Sequence, residues 1–308
     1  MDIAASRPGW LTLLRSNASR HLLAALGLGL GLLSVLFLLG QSLAQILGGA
    51  APPGLRLAMT GGAVAFAATA LGALPALVLR GLPQRAEDSL LGLAAGMMLA
   101  ASAFSLLLPG LESGEEILGG KGLGSAVVVA GMALGVLLML GLDQFTPHEH
   151  DKTGPCGPGH ERCGRIWLFV FAIALHNLPE GMAIGVAFSQ ADMSVGLPLT
   201  AAIALQDIPE GLAVALALRG AGFAPGLSVG VAAASGALEP LGALLGVGLS
   251  SGLAVAYPVG LGLAAGAMIF VVSHEVIPET HRNGHQTPAT LGLMSGFALM
   301  MVLDTALG

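Results

Sequence analysis

Apolar residues run through this chain in long stretches rather than in the short alternations of amphipathic elements. Nine stretches of membrane-spanning length occur, at about 22–47, 59–80, 89–109, 122–142, 166–188, 198–218, 224–249, 255–274 and 289–306. A helix needs about 20 apolar residues to cross the hydrocarbon core, so each stretch predicts a transmembrane helix. The first follows Arg7, Arg15 and Arg20, as a secretory signal would. Its apolar run exceeds the roughly 7–15 residues of a signal core, which predicts a retained helix. The Lys and Arg positions test the count. With a cytosolic N-terminus, the inner loops hold Arg7, Arg15, Arg20, Arg80, Arg85, Lys152, Arg162, Arg165, Arg219 and Arg282, against Arg56 and Lys121 outside. This is the asymmetry the positive-inside rule requires, and it puts the C-terminus outside. The longest connection, about 143–165, then faces the cytosol. It carries His148, Glu149, His150, Asp151, Cys156, His160, Glu161 and Cys163 among Gly and Pro, shows no helical or strand period, and predicts a flexible loop.

Composition agrees. Of 308 residues, 55% are hydrophobic and 10% charged, with a mean hydropathy of +0.84, whereas a soluble domain carries about 25% charged residues. The chain reads as an all-α polytopic membrane protein. Forty-seven Gly and a single Tyr suit close-packed helices and not an outer-membrane barrel with aromatic girdles. A net charge of -6 gives no support for a nucleic-acid partner. Two Cys in one polar loop exclude a disulfide framework.

The chemistry lies in an internal repeat. Residues 174–187 read ALHNLPEGMAIGVA and residues 204–217 read ALQDIPEGLAVALA, identical at seven positions including Pro179/Pro209, Glu180/Glu210 and Gly181/Gly211. The topology runs these segments in opposite directions, the inverted-repeat signature of transporters. Near the midplane they place His176, Asn177, Glu180, Gln206, Asp207 and Glu210, and the next span adds Glu239. Each ionisable group at that depth costs at least ~2.5–3.5 kcal/mol. Four carboxylates without Lys or Arg at matching depth are either protonated or neutralised by a cation.

The spacing favours a divalent metal. His176 and Glu180, like Gln206 and Glu210, are i,i+4 pairs on one helical face. Pro179 and Pro209 free the carbonyls of Leu175 and Leu205, and Gly181 and Gly211 let the two backbones approach. Asn177 and Asp207, rotated by about 100°, can serve a second metal bridged by Glu180 and Glu210, with Glu239 as its cap. Imidazole, carboxylate and amide donors without thiolate suit Zn²⁺ and its divalent neighbours Cd²⁺, Fe²⁺ and Mn²⁺ better than Cu(I). A proton relay also uses buried carboxylates and a His, but the duplicated ligand spacing exceeds what a relay needs.

A second constellation, Ser273-His274-Glu275-Val276-Ile277-Pro278-Glu279-Thr280-His281 followed by His285, ends the eighth span. Glu275 and Glu279 are an i,i+4 pair that reads as an exit ladder or as an ordinary polar helix end. Asp88 and Asp143 at inner helix ends are weaker members. On the outer side Asp304, Glu112, Glu115 and Glu116 can attract cations. The His/Cys loop can bind metal as a sensor or buffer, although Cys156 and Cys163 lack a zinc-knuckle spacing.

HNLPEG at 176–181, QDIPEG at 206–211, Glu239-Pro240 and HEVIPETH at 274–281 resemble the Zrt-/Irt-like (ZIP) metal transporter family, in its bacterial form. The resemblance covers about 59 to the C-terminus. It implies an eight-helix core at 59–308, preceded by an extra transmembrane helix within 1–58. It further implies a binuclear centre between the fourth and fifth core helices, with ligands His176, Asn177, Glu180, Gln206, Asp207, Glu210 and Glu239. Inward movement of metal, a homodimer and an elevator-like motion of one bundle against another follow from the same likeness. Gln206 departs from the second His of many members, which bears on metal preference.

The expected function is therefore a secondary carrier for Zn²⁺-like dications in the cell membrane. No nucleotide or organic cofactor is expected, since Gly119-Gly120-Lys121 is followed by Gly122 and not Ser or Thr. The alternative is an intramembrane zinc hydrolase with Glu180 or Glu210 as general base, although the chain holds no H-E-x-x-H.

Overall fold

The computed structural model describes residues 52–145, 148–150, 154–156, 165–250 and 253–307, with isolated positions between 33 and 48. The span expected at 22–47 lies outside the described residues except for those positions. The long helices are α1 (Pro53–Ala73), α2 (Gln84–Ala101) continuing through a π-helical stretch Ser102–Leu107 into α3 (Leu108–Leu118), α4 (Lys121–Phe145), α5 (Arg165–Phe188) and α6 (Met193–Gly220). They are followed by α7 (Pro225–Ser235), α8 (Leu238–Ser250), α9 (Ala256–Val271), a second π-helical stretch Val272–Val276, the short α10 (Ile277–Thr280) and α11 (Gln286–Leu307). Among the described residues seven helical segments are long and apolar enough to cross a membrane. Helix α5, with 24 residues, falls within the 21–35-residue range of those spans.

Three expectations change. The span read as 89–109 runs from Gln84 to Leu118, because the π-helical stretch carries the chain past Pro109 without ending the helix. The span read as 224–249 is broken: α7 stops at Ser235 and α8 begins at Leu238. The connection expected at about 143–165 is not wholly irregular, since β1 (His148–His150) and β2 (Gly154–Cys156) pair antiparallel with His148 opposite Cys156. Three residues per strand are too few to leave a readable period.

Glycines assemble the core as parallel helix pairs. Gly181 and Gly185 of α5 lie against the α8 backbone at Glu239 and Ala243, while Gly242 and Gly246 of α8 lie against Leu178 and Met182. The same exchange joins α2 to α11 through Gly96 and Gly296, α4 to α9 through Gly135 and Gly266, and α1 to α6 through Gly72 and Gly211. Helices of equal polarity are not hydrophobically attracted inside lipid, so this backbone-to-backbone approach supplies the packing. Contact at that level groups α1, α5, α6 and α7/α8 into one bundle and α2/α3, α4, α9/α10 and α11 into a second.

The pairing also shows that the inverted repeat extends through the fold. Gly72 meets Ile208 of α6, and Gly242 meets Leu178, the repeat counterpart of Ile208, in α5. Around these contacts the sequence itself recurs. LGAL stands at 71–74 and 241–244, and GLAAG at 92–96 and 262–266. Both recurrences keep the 170-residue separation that joins Thr69 to Glu239. The two π-helical stretches fall in equivalent places, each just before a proline, Pro109 and Pro278.

Candidate metal centre

Helices α5 and α6 run through Pro179 and Pro209 without ending, and their polar residues fall on the sides facing the bundle interior. His176, Asn177, Glu180, Gln206, Asp207, Glu210 and Glu239 are all buried, none more than 5% exposed. A carboxylate oxygen from each of Glu180, Asp207 and Glu210 lies within 4.8 Å of the other two. Gln206 Nε2 donates to Glu180 Oε1, tying the two halves of the repeat together. Glu239 stands in the first turn of α8, where free N–H groups favour negative charge, and its Oε1 accepts from Thr69 Oγ1 at 2.7 Å. Among the described residues no Lys or Arg is buried.

Satisfying this cluster from within the protein fails in a consistent way. His176 Nδ1 and Nε2, Glu180 Oε2, Gln206 Oε1, Asp207 Oδ2 and Glu239 Oε2 are buried without a hydrogen-bond partner. Each such atom costs about 1–3 kcal/mol, and more when charged. On five neighbouring side chains these atoms leave four oxygen lone-pair sites and one imidazole nitrogen lone pair, the other His176 nitrogen carrying the ring hydrogen, and among the described residues no basic side chain is buried to answer them. A divalent cation is what such a set can hold.

The glycines of the repeat act differently from expectation. Gly181 and Gly211 do not bring α5 and α6 together. Gly181 receives the backbone of Glu239, and Gly211 that of Thr69. Long polar side chains fill the space between α5 and α6, so the small faces of these helices turn to α8 and α1. The consequence for the site is the closeness of α8, which brings the Glu239 carboxylate to the cluster.

Of the remaining predicted residues, Glu275 joins the site: its Oε2 lies 3.4 Å from His176 Nε2. His274 packs its ring on Phe270, with centroids 4.8 Å apart. Glu279 pairs with Arg282 at 3.1 Å, while Glu275 lies in the π-helical stretch Val272–Val276 that precedes it. Asp88 Oδ1 accepts from Gln84 Nε2 at 3.2 Å and Asn283 Nδ2 at 3.1 Å, while His285 Nδ1 lies 2.8 Å from Oδ2. This ties α2 to the turn before α11. Asp304 accepts from Ser105 Oγ at 2.6 Å. The side chains of Asp143 and of the His/Cys loop lie outside the described residues. Thr69 was not visible from the sequence as a site residue; the LGAL repeat, which aligns it with Glu239, was the available signal.

A family model described as ZIP zinc transporter matches residues 147–304, and the zinc transporter ZIPB of Bordetella bronchiseptica is 62% identical over 95% of each chain. The chain belongs to the ZIP family. The zinc transporter GufA of Myxococcus xanthus is 42% identical over 80% of this chain and 96% of its own. The zinc transporter ZIP11 of Homo sapiens is 29% identical over 78% of this chain and 94% of its own. This ZIP chain is accordingly a multi-pass transporter of divalent metal and not an enzyme, and the hydrolase alternative falls.

Proposed function

We propose that this ZIP chain carries Zn²⁺ into the cytosol through the buried cluster of α5, α6 and α8. The observation that supports this is the set of buried polar atoms without a hydrogen-bond partner, on His176, Glu180, Gln206, Asp207 and Glu239, around the three-carboxylate cluster. His176, Glu180, Gln206 and Glu210 form one metal position. Asn177, Asp207 and Glu239 complete a second, with Glu180 and Glu210 shared between them. Cd²⁺, Fe²⁺ and Mn²⁺ fit the same oxygen-rich set. Glu275 beside His176 is the next oxygen toward the cytosol, followed by His274 and Asp143; Asp304 stands on the outer side, and Asp88 holds the inner turn through which metal leaves.

A membrane potential is worth ~2.3 kcal/mol per charge per 100 mV, which drives a dication inward without ATP. The orientation follows the Lys/Arg asymmetry: N-terminus cytosolic, C-terminus outside, in the cell membrane. The segregation of backbone-level glycine contacts into two bundles supports movement of the α1, α5, α6, α7/α8 bundle against the other, in a homodimer.

Purified protein in liposomes should take up Zn²⁺ with an initial rate that saturates as metal rises and increases with an inside-negative potential. A rate strictly linear in metal would replace the carrier by a pore. Removing residues 148–163 should change the rate or its regulation and leave uptake measurable. Complete loss from a normally folded deletion would place the loop in the transport path itself.

A further inference from the structure

Thr69 stands where the first half of the inverted repeat meets the second. It occupies the position that Glu239 holds in the other half, and the two side chains are hydrogen-bonded to each other. Its hydroxyl has one hydrogen and two acceptors in reach. Glu239 Oε1 lies at 2.7 Å and the Ala65 carbonyl oxygen at 3.4 Å, so the hydrogen goes to the carboxylate. Thr69 is 2% exposed, and its backbone is pressed against α6 at Gly211. Its side chain fills the space beside Gly236, the residue at the break between α7 and α8. The donor is thus fixed by packing on two sides before it meets its acceptor.

The two oxygens of Glu239 are divided by this contact. Oε1 is held by Thr69, while Oε2 is buried and unpartnered. We propose that Thr69 is a positioning residue for metal transport: by anchoring Glu239 Oε1 it turns Oε2 toward the second metal position and sets the affinity of that position. This rests on the reading of Glu239 as a metal ligand. A group hydrogen-bonded to a ligating carboxylate fixes its orientation, and losing such a partner costs roughly 10–100-fold in metal affinity or activity.

The test uses the full chain in liposomes with Zn²⁺ as the probe, together with equilibrium zinc content of the purified protein. Thr69→Val keeps the branched shape and removes the hydroxyl. It should raise the half-saturating Zn²⁺ concentration by about tenfold, change the maximal rate less than twofold, and lower bound zinc from two ions per chain toward one. Thr69→Ser, which keeps the donor, should return all three values to those of the parent. In a Glu239→Ala background Thr69→Val should add nothing. If Thr69→Val does not fold, Thr69→Ala carries the same expectations without filling the space.

The inference is overturned if Thr69→Val matches the parent, if Ser and Val impair equally, or if the two losses add in the Glu239→Ala background. Glu210→Gln separates this failure from a failure of the underlying reading. An inactive Glu210→Gln beside a normal Thr69→Val overturns the role of Thr69 alone, whereas an active Glu210→Gln overturns the site.

Discussion

Zinc uptake by the His176→Ala/Glu210→Ala double variant should fall to the leak of protein-free vesicles. His176 is buried, with Glu275 Oε2 3.4 Å from its Nε2, and is the imidazole of the proposed first metal position. Glu210 belongs to the three-carboxylate cluster and is shared by both positions in the proposed site. Loss of a group that merely orients a metal ligand costs about 10–100-fold, so deleting two ligands, one of them shared, should remove at least about a hundredfold. The variant should still fold. His176→Ala removes two buried ring nitrogens that lack a hydrogen-bond partner, which costs little, and Glu210→Ala removes one carboxylate from a cluster of three buried acids, which lessens like-charge repulsion there. Uptake at the parent rate in correctly folded vesicles would show that metal crosses elsewhere.

The second large effect concerns assembly. A Cβ at Gly181 would overlap the carbonyl oxygen of Glu239 and approach its Cα at 2.7 Å. The obstruction is backbone on both sides and cannot rotate away, as the end of a flexible side chain could. Overpacking of this kind costs typically 1–3 kcal/mol and occasionally more, and Gly181→Val adds a branched side chain to it. The expected result is loss of monodisperse protein in detergent, or a melting temperature lowered well beyond that of Gly220→Val, where a Cβ meets nothing within 4 Å. Equal melting curves for the two variants would mean that α5 and α8 are not packed as described.

Much of the site was legible in the sequence because membrane burial makes polar residues conspicuous. A carboxylate in a run of Leu and Ala has few explanations, and the duplicated PEG tripeptides placed Glu180 and Glu210 on opposed helices directly. Partners were harder to read. The G-x-x-x-G spacings at Gly92/Gly96, Gly181/Gly185, Gly242/Gly246 and Gly262/Gly266 were present in the chain, but spacing does not say which helix receives which. Gly181 was therefore assigned to α6 when it serves α8. The break before Glu239 was hidden because Gly236-Ala237 sits within an unbroken apolar run, and hydropathy carries no record of backbone hydrogen bonding. The π-helical stretches escaped for the same reason, and with them the separation of Glu275, which faces His176, from Glu279, which faces Arg282.

The recurrence of LGAL and GLAAG at one constant offset has a consequence for ancestry. Segments that match while crossing the bilayer in opposite senses are what duplication of one shorter chain, able to insert either way up, would leave. Such an ancestor had to be nearly neutral in its connections, since a few arginines dictate insertion. In the first half Arg80 and Arg85 sit between the first and second helices of the copy, and in the second half Arg282 sits between the second and third. In each half the arginines lie in a connection whose counterpart in the other half carries none, the kind of difference by which the positive-inside rule would give two copies opposite senses.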